Sequence, residues 1–398
     1  MDEPGGGPTR RAVSSWPSMY ISNEHGLSPA TFIQSPGAHP LPFPLNAPGR
    51  LYFYRARNAI YHLFRALGFG ARGDLVLVPD YHNTNEVLAI RAAGARIHFY
   101  RIGRNLEPDL EQLTKLVRTL TPRAVYVIHY FGWAQPMKDI VELCRERDTL
   151  LIEDCALALL SETAGRPLGT FGDFATFCLY KTLPVPNGGV LTRNTSELPE
   201  LDRLRLRPPG ARTVGGRTLE LLLEWLRTRS EPAGQAAFAV KRGLGGALRR
   251  LRLDGIPFGD IGFDLANLDV RMSRVSMEVL KRLDYAAIRR QRRANFLLLR
   301  ELLQGYATMF PRELEDGMCP YVFPILVRDK QAAVRKLSAR GIAAQEFWNF
   351  GVPEARGAGF EDAQFLHDHI LELPLHQDVT SDQVEYMASH IRSLEREL

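Results

Sequence analysis

Short apolar runs alternate with stretches of helical spacing through the first half of the chain. Gly73–Pro79, Arg96–Tyr100, Ala124–His129 and Leu150–Ile152 read as buried strands, since a continuous apolar run suits a strand covered on both faces. The helical stretches interleave with them. Ile60, Leu63, Phe64 and Leu67 mark a helix over Asn58–Leu67, and others fall at Glu86–Ala93, Asp109–Val117 and Met137–Arg145. This alternation predicts an α/β fold with a mostly parallel sheet and helices on both faces. Two more short strands follow at Phe174–Tyr180 and Gly189–Thr192.

Beyond residue 192 the pattern changes. An amphipathic helix is predicted over Thr218–Arg227 and a long helix over Arg274–Leu303. Tyr321–Val327, Gln331–Arg340, Ile370–Leu375 and a last helix from Ser381 predict a small C-terminal α/β lobe. Residues 1–48, rich in Gly, Pro and Ser with isolated aromatics such as Trp16, Tyr20 and Phe43, read as an irregular arm. The expected organisation is an arm over 1–48, a large domain over 49–272, and a long helix with a small domain over 273–398.

Composition narrows the class without naming a chemistry. In 398 residues, 45% hydrophobic and 24% charged is ordinary for a globular protein with room for two lobes. The four cysteines (144, 155, 178 and 319) have no metal-ligand or CxxC spacing, which suits a reduced, cytoplasmic protein. No apolar run approaches the ~20 residues of a membrane span. Arg10-Arg11 is not followed by the apolar region of an export signal. The net charge of +5 is carried mainly by arginine. About 205–262 is a basic insertion, with Lys241, Arg242, Arg249, Arg250 and Arg252. It reads either as a solvated face with a lid over a site or as a docking surface for an anionic group. It lacks the interleaved aromatics of a nucleic-acid groove.

Candidate chemistry concentrates between Leu151 and Leu191. Glu153-Asp154 sits where a strand should end, and Lys181 lies between two strands, beside a proline-rich turn closing on Asn187-Gly188-Gly189. A carboxylate there could keep a pyridinium nitrogen protonated while the lysine amine bonds an aldehyde, which is pyridoxal phosphate chemistry. A strand ending in Glu-Asp and a solvated lysine are also common without it, so spacing alone leaves both readings open. With only seven lysines in the chain, few can compete for the role.

The run IEDCALAL…GRPLGTFGDFATF…K…NGG resembles the signature of the DegT/StrS family of sugar aminotransferases. That signature reads roughly I-E-D-x-A-Q-A, then G-x-x-G-x-x-G-D-x-x-x-F-S-F, then K-N-x-x-x-G-E-G-G. Lys181 precedes Gly189 by eight residues, the family's interval from its cofactor lysine to the second glycine. The resemblance runs from about Gly49 to the C-terminus, apart from the insertion. It implies the PLP-dependent, aspartate-aminotransferase-like fold, pyridoxal 5'-phosphate as cofactor, and a homodimer with shared sites. The implied reaction moves an amino group from an amino acid, glutamate in most relatives, to a keto-sugar on a nucleotide carrier.

By the same resemblance, Lys181 would bind the cofactor aldehyde and shuttle the proton, and Asp154 would pair with the ring nitrogen. Ala56 and Arg57 stand in the family's Ser-Gly-Thr phosphate cup, where backbone amides and the helix dipole favour an anion. Arg57 could equally be a solvated surface residue. His82, with neighbours Tyr81 and Asn83, takes the place of the aromatic ring that stacks on the pyridine, or else is a structural histidine. Cys178 replaces a phosphate-binding serine, and Asp269 replaces an asparagine that reaches the partner subunit's phosphate. Leu157 replaces the signature glutamine, and the chain is two residues shorter between Phe177 and Lys181. Leu373-Pro374-Leu375-His376 matches the family's L-P-L-H, with His376 expected to cap a turn. These departures leave open a different acceptor, or a non-catalytic relative serving as a regulatory or binding subunit.

Overall fold

Seven strands build the larger sheet in the order β1-β9-β8-β5-β4-β2-β3. They are β1 (Leu51–Phe53), β2 (Leu75–Pro79), β3 (Arg96–Tyr100), β4 (Ala124–Ile128), β5 (Leu150–Asp154), β8 (Phe174–Cys178) and β9 (Gly189–Arg193). A small hairpin, β6 (Glu162–Thr163) and β7 (Arg166–Pro167), intervenes. This computed structural model describes residues 19–394 except 73, 196, 231, 233–235, 237–264 and 350. β3, β2, β4, β5 and β8 run parallel, and β9 turns back antiparallel against β8 and β1. Every residue of β4 and β8 is buried, the two-sided cover that their continuous apolar runs predict.

The four predicted helices are present with shifted ends: α1 (Ala56–Ala66), α3 (Asn85–Ala92), α4 (Leu110–Leu120) and α5 (Met137–Glu146), with a short unpredicted turn, α2 (Phe69–Arg72), after the first. After the sheet come α6 (Pro199–Asp202) and α7 (Ala211–Arg229), the latter longer at both ends than its amphipathic stretch suggested. The expected long helix over Arg274–Leu303 is two, α8 (Arg274–Leu280) and α9 (Tyr285–Leu303). Asp284 explains the break: its carboxylate accepts from the Ala287 N–H and starts a new helix. The basic residues Lys241, Arg242, Arg249, Arg250 and Arg252 lie outside the described residues, as does the chain before Met19.

The smaller sheet is antiparallel, in the order β10-β11-β13-β12, from β10 (Thr308–Met309), β11 (Phe323–Leu326), β12 (Gln345–Glu346) and β13 (Ile370–Leu373). α10 (Lys330–Ser338), α11 (Glu361–His369) and α12 (Ser381–Ser393) pack with it. The arm joins both parts of the molecule. Ile21 bridges to Ile342, Gly26 N–H donates to Asp378, and Leu27 N–H donates to the Leu221 carbonyl of α7. His376 belongs to this seam. Its Nδ1 accepts from Asp378 N–H, which leaves Nε2 to donate to the Ser22 carbonyl at 3.0 Å. Among the described residues no helix is long and apolar enough to cross a membrane.

Candidate active site

The carboxyl ends of β2, β4, β5 and β8 open onto a cavity of about 430 Å3, closed on the far side by the arm, α7 and the smaller sheet. Clefts at strand ends are where open α/β sheets place their ligands. Asp154, Lys181, Ala56, Arg57 and Cys178 all line it.

Strand alternation divides the acidic pair. Asp154 faces the cavity and is nearly buried; Tyr126 Oη–H donates to its Oδ2 at 2.6 Å and Ala156 N–H to its Oδ1 at 2.8 Å. Burial nonetheless raises its pKa, against the pull of Tyr126, Ala156 and the Lys181 ammonium. A carboxylate held this way gains most from a cationic neighbour. Glu153 points to the other face and is fully buried. It accepts from the backbone N–H groups of Gly169 at 2.9 Å, Phe171 at 2.7 Å and Gly172 at 2.6 Å. His129 completes the set at 3.0 Å through Nε2, while its Nδ1 accepts from Gln135 N–H. Glu153 therefore ties the glycine-rich turn to the end of β5.

Lys181 ends a single 3-10 turn after β8. The turn is held because Leu179 N–H donates to the Gly188 carbonyl and Gly188 N–H to the Tyr54 carbonyl. Gly189 explains why the motif ends in glycine: a Cβ there would lie 2.4 Å from the Arg55 carbonyl carbon. Its absence lets β9 abut the start of α1 and set that helix's N-terminus at the cavity wall. Arg55, the N-cap residue of α1, provides no side-chain cap. Arg55 and Arg57 both line the cavity; burial lowers the Arg57 pKa, and Tyr180 and Cys178 oppose that shift. Arg57 is thus part of the cavity wall.

Two expected residues fall elsewhere. His82 does not line the cavity: it is fully buried, stacked on Phe99 with ring centres 5.5 Å apart, and accepts from Thr84 N–H at 2.9 Å. Burial lowers its pKa to about 3, so it stays a neutral structural ring. What its loop delivers instead is Asn83, Asn85 and Glu86. The aromatic members of the wall are Tyr180, Tyr321, Phe347 and Trp348, the last two stacked at 4.6 Å. Asp269 lies outside the cavity of its own chain, exposed, with His62 Nε2 3.2 Å away.

Several cavity residues carried no usable signal in the sequence. Glu86 is buried, accepts from Asn83 N–H at 2.6 Å, and is pushed up to about 7 by burial and by the charge of Asp154. Glu372 of β13, Asn23 of the arm and Arg217 of α7 come from distant segments. Arg217 pairs with Glu24 at 2.8 Å and Glu220 at 3.1 Å. Only the amphipathic stretch Thr218–Arg227 hinted that α7 would approach the rest of the protein, and nothing in it pointed to a site.

Known proteins resemble this chain in sequence and in fold. The model of the DegT/DnrJ/EryC1/StrS aminotransferase family matches residues 55–392. A GDP-perosamine synthase of Vibrio cholerae is 33% identical over 156 residues, 38% of this chain and 41% of that protein. The dTDP-4-dehydro-2,3,6-trideoxy-D-glucose 4-aminotransferase of Saccharopolyspora spinosa is 32% identical over 223 residues, 54% of this chain and 56% of that protein. The chain thus spans about half the length of the curated relatives it matches. Among solved structures, an E. coli GDP-4-keto-6-deoxy-D-mannose-3-dehydratase with bound hydrated PLP shares the fold at a TM-score of 0.63 and 17% identity, covering 91% of this chain and 89% of that one. Sheet order, the Asp154–Lys181 cavity and a family match across nearly the whole described chain converge: this protein belongs to the DegT/DnrJ/EryC1/StrS aminotransferase family.

Proposed function

We propose that the chain is a pyridoxal phosphate-dependent aminotransferase that moves an amino group from an amino acid, glutamate foremost, to the carbonyl of a nucleotide-linked keto-sugar. It works as a cytoplasmic homodimer in this reading, with the large domain over 49–272. The observation that carries it is the polarity of one cavity: Lys181 and a buried Asp154 lie together, with the N-terminus of α1, Arg55 and Arg57 on the same wall.

The residues fit the cofactor. Asp154, raised by burial, suits a protonated ring nitrogen; Lys181 suits the aldehyde; the amides of α1 with Arg57 suit a phosphate. Bound there, pyridoxal phosphate supplies an electron sink for the pair released when a bond at the amino-acid α-carbon breaks. Lys181 Nζ would hold the cofactor's aldehyde end and would move the proton at the substrate carbon. Asp154 holds the proton on the ring nitrogen, and Tyr126 with Ala156 N–H fixes the carboxylate. Phe347, Trp348 and Tyr321 limit water around these groups. Asp269, exposed on its own chain, is assigned to the partner subunit's phosphate region across the dimer.

Borohydride reduction of the purified protein followed by peptide mapping tests the reading. The cofactor adduct is expected on Lys181 and to be lost in Lys181→Ala, with turnover lower by about 10³-fold or more. An adduct on another lysine, or a colourless protein that binds no cofactor, overturns it.

A further inference from the structure

The wall opposite Lys181 is built by the arm and the smaller sheet, and it is rich in hydrogen-bond acceptors. Glu372 of β13 is 5% exposed and lines the cavity. Its Oε1 accepts only a long bond, 3.4 Å, from Asn23 Nδ2, and among the described residues its Oε2 has no partner. The Oδ1 atoms of Asn23 and Asn349, on the same wall, are likewise buried without partners among the described residues. Asn349 uses its amide nitrogen on Glu346, which leaves the oxygen directed elsewhere. Buried polar atoms in native proteins are nearly always satisfied, and leaving a charged one unpaired is costly. Three such acceptors on a single wall therefore describe a complement: a ligand surface that presents several donors.

Two features fix the class of that ligand. First, the atoms are acceptors rather than donors, so they suit O–H groups and not a phosphate or a carboxylate. The guanidinium groups of Arg55, Arg57 and Arg217 line the same cavity and suit the anionic parts. Second, Glu372 lies close enough to Lys181 for the ammonium to favour its ionised form, although burial pushes it up to about 7. Glu372 and Lys181 line one cavity, so a substrate held at Lys181 lies within the space that Glu372 bounds.

We propose that Glu372, with Asn23 and Asn349, is the specificity-determining subsite of the acceptor, accepting hydrogen bonds from ring hydroxyls adjacent to the carbonyl of a hexose. This deepens the function proposed above and rests on it. A sugar that lacks those hydroxyls leaves the three acceptors unpaired and is rejected on that ground, not by shape.

The test uses the cofactor-loaded enzyme and separates the two halves of the reaction by absorbance of the cofactor. L-glutamate is the donor probe. The acceptor probes are a 4-keto-6-deoxyhexose and its 2,3-dideoxy counterpart, each as the dTDP and the GDP ester. Glu372→Ala is expected to slow the sugar half of the reaction more than the glutamate half. It should lower kcat/KM for the hydroxylated sugar by about 10- to 100-fold, and the preference for that sugar over its dideoxy counterpart should fall by the same factor. Glu372→Gln, which keeps one acceptor oxygen and the side-chain volume, should lose less. Asn23→Ala should move the same preference in the same direction. Calorimetric titration of the wild type and Glu372→Ala with GDP-mannose, which has no carbonyl to react, gives a reading independent of turnover. The variant should bind it more weakly while binding of GDP is unchanged.

Equal losses in both halves, or an unchanged sugar preference, overturn the subsite and leave the aminotransferase reading standing. A wild-type enzyme that takes the amino group from glutamate but passes it to none of the four sugar esters overturns the keto-sugar reading, and the subsite with it.

Discussion

The two walls of the cavity were built by different rules. The wall at the ends of the parallel strands comes from the larger sheet's own connections, residues 55–57, 83–86 and 154–181, where each functional group lies within a few residues of the element that holds it. The opposite wall takes Asn23 from the arm, Arg217 from α7, Asn349 from the loop after β12 and Glu372 from β13. In the proposed function the first wall handles the chemistry, with short-range support. The second is the one proposed to select the substrate, and its support is tertiary. Chemistry that must stay fixed is tied to the backbone, whereas selectivity rests on side chains that can change without disturbing the sheet.

That contrast can be broken most sharply at Asp154. Asp154→Asn should fold and bind cofactor, yet lose about 10²–10³ in turnover, because the ring nitrogen is no longer held protonated by a charge. Near-normal rates in the glutamate half-reaction would show that this wall does not carry the chemistry.

Glu153→Ala should act on the same strand end through stability. It strips three backbone donors and His129 of a shared, fully buried acceptor. A loss of about 3 kcal/mol or more in urea denaturation is expected. A loss under about 1 kcal/mol would mean that the glycine-rich turn is held by other contacts.

Arg57→Ala should weaken cofactor binding by about 10-fold or more, as expected for one charged hydrogen bond to phosphate. Asp269→Asn should leave the dissociation constant unchanged or improve it, because a carboxylate near a phosphate repels it. Equal affinity in Arg57→Ala and the wild type would leave the phosphate to the helix amides alone.

The smallest effect concerns pH. Burial and Asp154 raise Glu86 from 4.5 to about 7, so the folded state holds a proton that the unfolded state has released between those values. Glu86 therefore contributes stability that is full below about pH 4.5 and lost as pH rises through 7. Glu86→Gln should gain stability relative to wild type when denaturation is compared at pH 5 and pH 8, and a parallel pH profile would rule this out.

What could be read from the sequence divides along the same line. Glu153, Asp154, Lys181 and Gly189 follow a strand, a turn and a strand whose apolar pattern is local, so their positions follow once the strands are recognised. Asp154 and Glu153 differ only in parity along β5, and parity decides that one meets the cavity and the other the glycine-rich turn. His82, expected at the cavity, stays buried at the strand end. The chain turns there, Thr84 adopting a φ of 73°, and it is the next turn, with Asn83, Asn85 and Glu86, that reaches the cavity. The helix break at Asp284 was visible as a capping residue but was outweighed by the apolar periodicity around it. Glu372 and Asn23 carry no local signature at all. They lie 349 positions apart, and only the packing of the arm on the smaller sheet brings them together.

The seam between arm and smaller sheet also orders events during synthesis. Residues 51–193 of the larger sheet leave the ribosome with their pairing partners already made. The arm emerges before them and must wait: Ile21 needs Ile342, Asn23 needs Glu372, Ser22 needs His376, and Gly26 needs Asp378. A nascent or prematurely terminated chain can therefore carry Asp154 and Lys181 on a formed sheet while lacking the wall that chooses what they act on. The order in which the chain is made keeps the cavity from closing until Asp378 has been added.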